Sequence, residues 1–257
     1  MARGKKQIEG QMYFDFCLDT RNYVVQSNEL IGGRQALKLN SAKLIRSAIM
    51  QVVREDEELK PYVITIKELS DLINVPASNL YRDIDAITDD IIKNPVYIRE
   101  MKNGKTERFV KIPWVEWCEY KADTGVAIKL NERLKPFLLN LKEHYTQYSL
   151  QEVLVMKSVY AIRLFEVLNG KVMSRSIPMN GIHVILSVDE LRECCSCEDK
   201  YFPFSNLKKK VIDVAVREIN RVTLYDLTFT YVKKGKSVEA IDFFIASKFR
   251  SNAYKGN

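Results

Sequence analysis

The chain has little of what interrupts regular structure: 10 Gly and 7 Pro in 257 residues, and no low-complexity run. With 46% apolar residues, that scarcity excludes a disordered chain. Long apolar runs are also missing. The opening MARGKKQIEGQMYFDFCLDT is basic but holds no continuous apolar segment of about 7 to 15 residues, and nothing reaches the roughly 18 of a spanning helix. Neither secretion nor membrane insertion is expected, and a cytoplasmic location follows. Histidine is nearly absent. His144 and His183 lie far apart, so the paired-histidine metal site of a DNA-nicking enzyme cannot be built from them. The five cysteines, Cys17, Cys118, Cys194, Cys195 and Cys197, are odd in number and unevenly spread, which does not read as a disulfide framework. Cys194-Cys195-x-Cys197 lacks the second ligand pair a zinc site needs. Gly104-Lys105-Thr106 and Gly235-Lys236-Ser237 resemble phosphate loops, but five residues before each glycine stand Arg99 and Thr230 where a Walker loop needs another glycine. No G-x-S-x-G or H-E-x-x-H motif occurs. These absences predict a protein that is not an enzyme and carries no metal or cofactor.

What is present is positive charge. The chain has 40 Lys+Arg against 33 Asp+Glu, a net charge of +7. Residues 1–148 contribute 23 basic and 21 acidic groups (net +2), and residues 149–257 contribute 17 and 12 (net +5). At roughly 100 to 150 residues per domain, the length suggests two domains.

Three capping boxes stand where apolar periodicity begins: Thr65 to Glu68, Ser149 to Glu152 and Ser187 to Glu190. Helical spacing predicts helices over 41–54 (Ile45, Ala48, Ile49, Val52 on one face) and 77–92 (Leu80, Ile84, Ile87, Ile91). A helix over 150–168 has a wider apolar arc and is expected to pack on two sides. Extended runs Val96 to Met101 and Glu107 to Ile112 flank KNGK, while Thr223 to Val232 and Val238 to Ala246 flank KKGKS. Glycine in a short polar link between extended runs predicts a hairpin, because it supplies positive φ.

These pieces form an internal repeat. Thr65-Ile66-Lys67-Glu68-Leu69, a helix opening at Ser78-Asn79-Leu80 and the tip Lys102-Asn103-Gly104-Lys105 match Ser187-Val188-Asp189-Glu190-Leu191, a helix opening at Ser205-Asn206-Leu207 and the tip Lys233-Lys234-Gly235-Lys236. Leu69 to Leu80 is eleven residues and Leu191 to Leu207 is sixteen, so the second copy has the longer turn between its helices. Helix, helix, hairpin is a winged helix, here twice in tandem, in an α+β chain.

The helix opening at Ser205 carries Lys208, Lys209, Lys210 and Arg217, while Leu207, Val211, Val214 and Ala215 turn toward a core. Its first turns present Asn206, Lys209 and Lys210, suited to base edges and phosphates in a DNA major groove. Ser205 and the free amides at the helix start can take a phosphate. A solvated polar face is the alternative. The first unit's helix sets Arg82 and Lys93 against Asp83, Asp85, Asp89 and Asp90, which would repel phosphates. DNA contact there is limited to residues such as Ser78, Asn79 and Arg82, and the second unit is the stronger candidate.

At these residues the chain resembles the iteron-binding initiator proteins of theta-replicating plasmids. The similar stretches are VVQSNELI (24–31), ITIKELSDLINVPASNLYRDIDAI (64–87), YSLQEVLVMKSVYAIRLFEVL (148–168) and FSNLKKKVIDVAVREIN (204–220). Residues 1–22 are an N-terminal extension, and the resemblance implies a first winged-helix domain over 23–147, for dimerisation and auxiliary DNA contact. A second, over 148–257, is implied to be the principal DNA binder. It also implies that a monomer grips double-stranded origin repeats, opens an adjacent A+T-rich segment and recruits the host initiator and replicative helicase, with a dimer acting as repressor. That places the protein in a bacterial cytoplasm, plasmid-encoded. The acidic first-domain helix and the Cys194-Cys195-x-Cys197 turn depart from the family's pattern. Residues 1–22 lie outside the match and are either a DNA-touching arm or a disordered terminus. A transcriptional repressor with tandem winged helices is the competing reading.

Overall fold

The computed structural model describes residues 23–53, 56–73, 75–102, 105–122, 124–172, 177 and 180–248. Cys17 and the Asn103-Gly104 turn lie outside them. Strand β1 (Tyr23–Ser27) runs into helix α1 (Asn28–Gly32), where the Ser27 hydroxyl accepts from the Leu30 N–H at 3.1 Å. Helix α2 (Leu39–Met50) is buried from Ser41 to Ile49.

A first winged helix follows. Strand β2 (Pro61–Ile64) leads into α3 (Ile66–Ile73), whose start is the reciprocal cap expected from sequence. The Glu68 N–H donates to the Thr65 hydroxyl (3.1 Å) and the Thr65 N–H to the Glu68 carboxylate (3.0 Å). Helix α4 (Ala77–Lys93) buries Leu80, Ile84, Ile87 and Ile91, as its spacing predicts. Strands β3 (Val96–Lys102) and β4 (Lys105–Ile112) form a two-stranded ribbon, and β5 (Val115–Lys121) and β6 (Gly125–Leu130) join β2 in a sheet ordered β2-β6-β5.

A 3₁₀ turn (Glu132–Leu134) and helix α5 (Lys135–Leu138) lead to β7 (Tyr145–Ser149), which pairs antiparallel with β1, Tyr23 opposite Ser149. Sequence predicts one helix over 150–168, but there are two, α6 (Leu150–Val155) and α7 (Val159–Val172). Met156 is extended (ψ 141°), the Lys157 N–H donates to the Glu218 carboxylate at 2.5 Å, and the Ser158 carbonyl restarts the ladder by accepting from Ala161 and Ile162. Both helices bury an apolar face, Leu150, Val153 and Leu154 in α6 and Ala161, Leu164, Phe165 and Leu168 in α7, so the apolar pattern runs through the break without registering it. The Ser149 box does not form: the Ser149 side chain makes no cap bond, and Glu152 sits half-buried, its carboxyl pushed up to about 7 by burial.

The second winged helix repeats the first. Strand β8 (Ile182–Ser187) leads into α8 (Val188–Cys194). The Ser187 hydroxyl accepts from the Glu190 N–H at 3.0 Å, but the Glu190 carboxylate pairs with Lys171 (2.7 Å), so only half of this box forms. Helix α9 (Phe204–Leu207) passes through a π-turn (Lys208–Ile212) into α10 (Asp213–Val222), one continuous helical stretch. Strands β9 (Tyr225–Lys234) and β10 (Ser237–Ser247) complete a sheet ordered β8-β10-β9.

The two sheets share one topology: the strand before the helix pair bonds to the second strand of the wing. By that criterion the first wing is β5–β6, and the KNGK hairpin expected to be the wing is the separate β3–β4 ribbon. Its turn signal specified a hairpin, but not the sheet that hairpin would join. Gly125, which opens β6 at φ +110°, leaves no room for a side chain: a Cβ would lie 2.4 Å from the Ile64 carbonyl oxygen. Helix α7 lies between the halves, touching α1 and β7 on one side and α8, β8 and α10 on the other. The buried side chains of both units form one continuous core.

Candidate nucleic-acid interface

The long helix of the second unit is amphipathic, and its inner face is set by Leu207, Val211, Ile212, Ala215 and Ile219, all buried. Val214 is half-buried rather than part of that core. Aromatic packing seats the helix start on the wing: Phe204 meets Tyr231 edge-on at 5.7 Å between ring centroids, and Tyr231 meets Phe229 at 5.8 Å. The π-turn aligns residues five apart, and Lys208 uses it to reach Asp213, with Nζ–carboxylate distances of 2.7 and 2.9 Å. That bond raises the Lys208 pKa and sets the ammonium 5.9 Å from the centre of the Phe229 ring.

On the outer face Ser205, Asn206, Lys209, Lys210 and Arg217 are exposed. Among the described residues Lys209, Lys210 and Arg217 have no carboxylate partner. The helix begins at Phe204 with Pro203 at its cap, so Ser205 lies in the first turn rather than at the cap itself. Asn206 donates its side-chain amide to the Phe202 carbonyl at 2.9 Å, and its side-chain oxygen accepts no hydrogen bond among the described residues. At the wing tip Gly235 takes φ +62° with open space around it, and Lys233, Lys234 and Lys236 are exposed. Glu239 lies 3.7 Å from Lys234.

Helix α4 is a different surface. Ser78 is exposed and Asn79 half-buried, but Arg82 is forked onto Asp83 (2.8 and 3.1 Å), which raises the arginine's pKa and lowers the aspartate's. Lys93 pairs with Asp89. Asp90, expected among the repelling acids, is buried: it accepts from the Lys38 N–H at the start of α2 (2.8 Å) and from Asn94 (3.0 Å). Its role is to hold α2 on α4. Tyr81 is 46% exposed and meets Tyr120 of the wing edge-on at 6.4 Å, an aromatic surface the sequence reading passed over. On the ribbon, Lys102 pairs with Glu107 at 3.0 Å and Lys105 is exposed.

The structure therefore gathers Ser205, Asn206, Lys209, Lys210, Arg217, Lys233, Lys234 and Lys236 on one winged helix. It puts Ser78, Asn79 and Arg82 on the other, and Lys102 and Lys105 on neither wing. Two family descriptions match this chain: Initiator Replication protein, WH1, over residues 23–169, and Initiator Rep protein, WH2, over residues 187–245. The chain belongs to the initiator replication protein family. These are DNA-binding replication initiators of plasmids with two winged helices, not a known family of enzymes. An uncharacterized 27.6 kDa protein of Escherichia coli is 21% identical over 239 residues, covering 88% of this chain and 97% of that one. The Pi initiator protein, solved in complex with iteron DNA, superposes with a TM-score of 0.73 at 18% identity, covering 90% of this chain and all of the other. No helix among the described residues is long and apolar enough to cross a membrane.

The most consequential residues that the site-seeking reading missed are Arg46, Arg163 and Glu166. Glu166 is fully buried and accepts from Arg46 Nε and Nη2 (2.9 Å each), from Arg163 Nη1 (2.6 Å) and from the Tyr148 hydroxyl. Burial alone would raise its pKa, but the two guanidinium groups outweigh burial and hold the carboxyl at about 2. The available signal was a charged pair three apart inside an otherwise apolar helix.

Proposed function

We propose that this initiator binds directly repeated double-stranded origin sites with both winged helices. The Phe204–Val222 helix enters a major groove as principal reader, and α4 reads weakly beside it through Ser78, Asn79 and Arg82. Lys209 and Lys210, with Lys233, Lys234 and Lys236 of the wing, meet phosphates, and Arg217 extends that surface along the helix. The division of labour runs near residue 148. The observation that carries this reading is the contrast between the two helices: Lys209, Lys210 and Arg217 of the second are exposed with no carboxylate partner among the described residues, whereas both cations of the first, Arg82 and Lys93, are paired with carboxylates. The Pi initiator, of the same fold, was solved on iteron DNA, which supports direct repeats as the target. Binding in tandem then opens a neighbouring A+T-rich segment and recruits the host initiator and replicative helicase, while self-association through the first domain represses.

Footprinting of the purified protein on its parent replicon at several salt concentrations tests the proposal. Regular protection of same-orientation repeats beside an A+T-rich tract is expected. Protection confined to one palindrome over a promoter would overturn it in favour of a dimeric repressor.

A further inference from the structure

We infer that the turn of the second helix-turn-helix, Glu193 to Tyr201, is a clasp that docks this motif on the first unit, at the end of α1 and the β3–β4 ribbon, and fixes the spacing at which the two reading helices meet DNA. The inference rests on the DNA reading proposed above. Leu207 lies sixteen positions after Leu191, against eleven from Leu69 to Leu80 in the first unit, so this turn is longer than the connection requires. The added length makes contacts far away in the chain. Arg34 Nε lies 2.5 Å from the Glu198 carboxylate, close though not aligned as a hydrogen bond, and Arg99 of the ribbon pairs with Glu193. From α7, Arg163 Nε donates to the Cys194 carbonyl (3.1 Å), while Nη2 donates to the carbonyls of Ile31 (2.6 Å) and Gly33 (2.9 Å) at the end of α1. One buried guanidinium thus ties the last turn of a helix in each unit. The Tyr160 and Tyr201 hydroxyls add a bond at 2.9 Å.

The turn is also locked from within. Arg192 donates to the carbonyls of Cys197 (3.2 Å) and Tyr201 (3.3 Å) and lies 4.2 Å from the centre of the Phe202 ring. Ser196 and Tyr201 sit at φ +50° and +61°, a conformation that side chains other than glycine hold only when their surroundings impose it. Cys194, Cys195 and Cys197 are buried and fill the turn's interior, which gives this unusual cluster a packing role. The Arg34–Glu198 and Arg99–Glu193 pairs are about one-third exposed, so they add little stability in water. What they set is orientation, and rigid orientation converts to spacing selectivity when two elements read one duplex.

The test compares binding of the full chain, by fluorescence anisotropy, to its footprinted repeat and to the same repeat with one or two base pairs inserted between the segments facing the two helices. Wild-type affinity is expected to fall about tenfold or more on insertion. In Glu193→Gln/Glu198→Gln, whose changes are at the surface, and in Arg163→Lys, which cannot reach both carbonyl groups, that penalty should shrink to about threefold or less while the unfolding transition stays cooperative. A folded Glu193→Gln/Glu198→Gln variant that keeps the wild-type penalty, or a wild-type protein indifferent to insertion while still preferring its repeat to scrambled DNA, overturns the clasp. Failure of the DNA reading itself looks different, because wild-type protein would then not distinguish the repeat from scrambled DNA at any spacing.

Discussion

Glu166 shows how a single residue can be charged and wholly buried: it exchanges water for two guanidinium groups and a phenol. Replacing one partner of such a group costs more than the pair contributes, because the others are left charged and unmatched. Glu166→Gln should therefore destabilise the chain by about 3 to 5 kcal/mol in urea unfolding. Its folded pKa of about 2 lies below the ordinary 4.5, so the stabilisation is complete above pH 4.5 and is lost as pH falls toward 2. The gap between wild type and Glu166→Gln should close over that window, and a gap constant with pH would place the cost in packing instead. At the surface, Lys209→Ala or Lys210→Ala should weaken binding almost uniformly across sequences and lower the slope of log K against log salt by about 0.9 each. An unchanged slope would return the residue to a solvated face. Asn206→Ala should cost about 1 to 3 kcal/mol on the specific repeat and little on random DNA. Because its amide holds the Phe202 carbonyl, equal loss on both would identify it as a residue that shapes the turn.

At the scale of elements, three capping sequences of one chemical type behave in three ways, and the difference lies in where the glutamate goes. Glu68 returns to Thr65, Glu190 is taken by Lys171, and Glu152 sits half-buried away from Ser149. Thr65→Ala should cost about 1 kcal/mol by equilibrium denaturation, and Ser149→Ala less than about 0.5 kcal/mol. Equal losses would mean that the Ser149 hydroxyl has a role its cap geometry does not account for. Local signals of this kind made α4, the Phe204–Val222 stretch and both hairpins legible, since each rests on spacing within about twenty residues. What was not legible depends on partners far along the chain. The break at Met156 is held by Glu218, the burial of Asp90 by the start of α2, and the separate placement of the KNGK ribbon by β2 and β6. The charges on α4 were visible in sequence, but not that Arg82 and Lys93 are already matched to carboxylates.

For the whole molecule, the repeated topology decides which hairpins can serve as wings. The sheet β2-β6-β5 corresponds strand for strand to β8-β10-β9, and β3–β4 is an addition between helix α4 and the first unit's wing. In the proposed reading the lysines at the tip of β9–β10 meet DNA from a wing, while Lys102 and Lys105 stand on a ribbon whose Arg99 is paired with Glu193 of the second unit. The two hairpins carry similar charge, so composition cannot separate them, but counterion release can. Lys233→Ala/Lys236→Ala should lower the salt slope by about 1.8, two contacts at about 0.9 each, whereas Lys102→Ala/Lys105→Ala should leave it essentially unchanged. If instead the ribbon pair lowers the slope as much as the wing pair, the first unit reaches DNA through its added ribbon. The correspondence between the two sheets would then describe the ancestry of the fold without describing how the first unit docks.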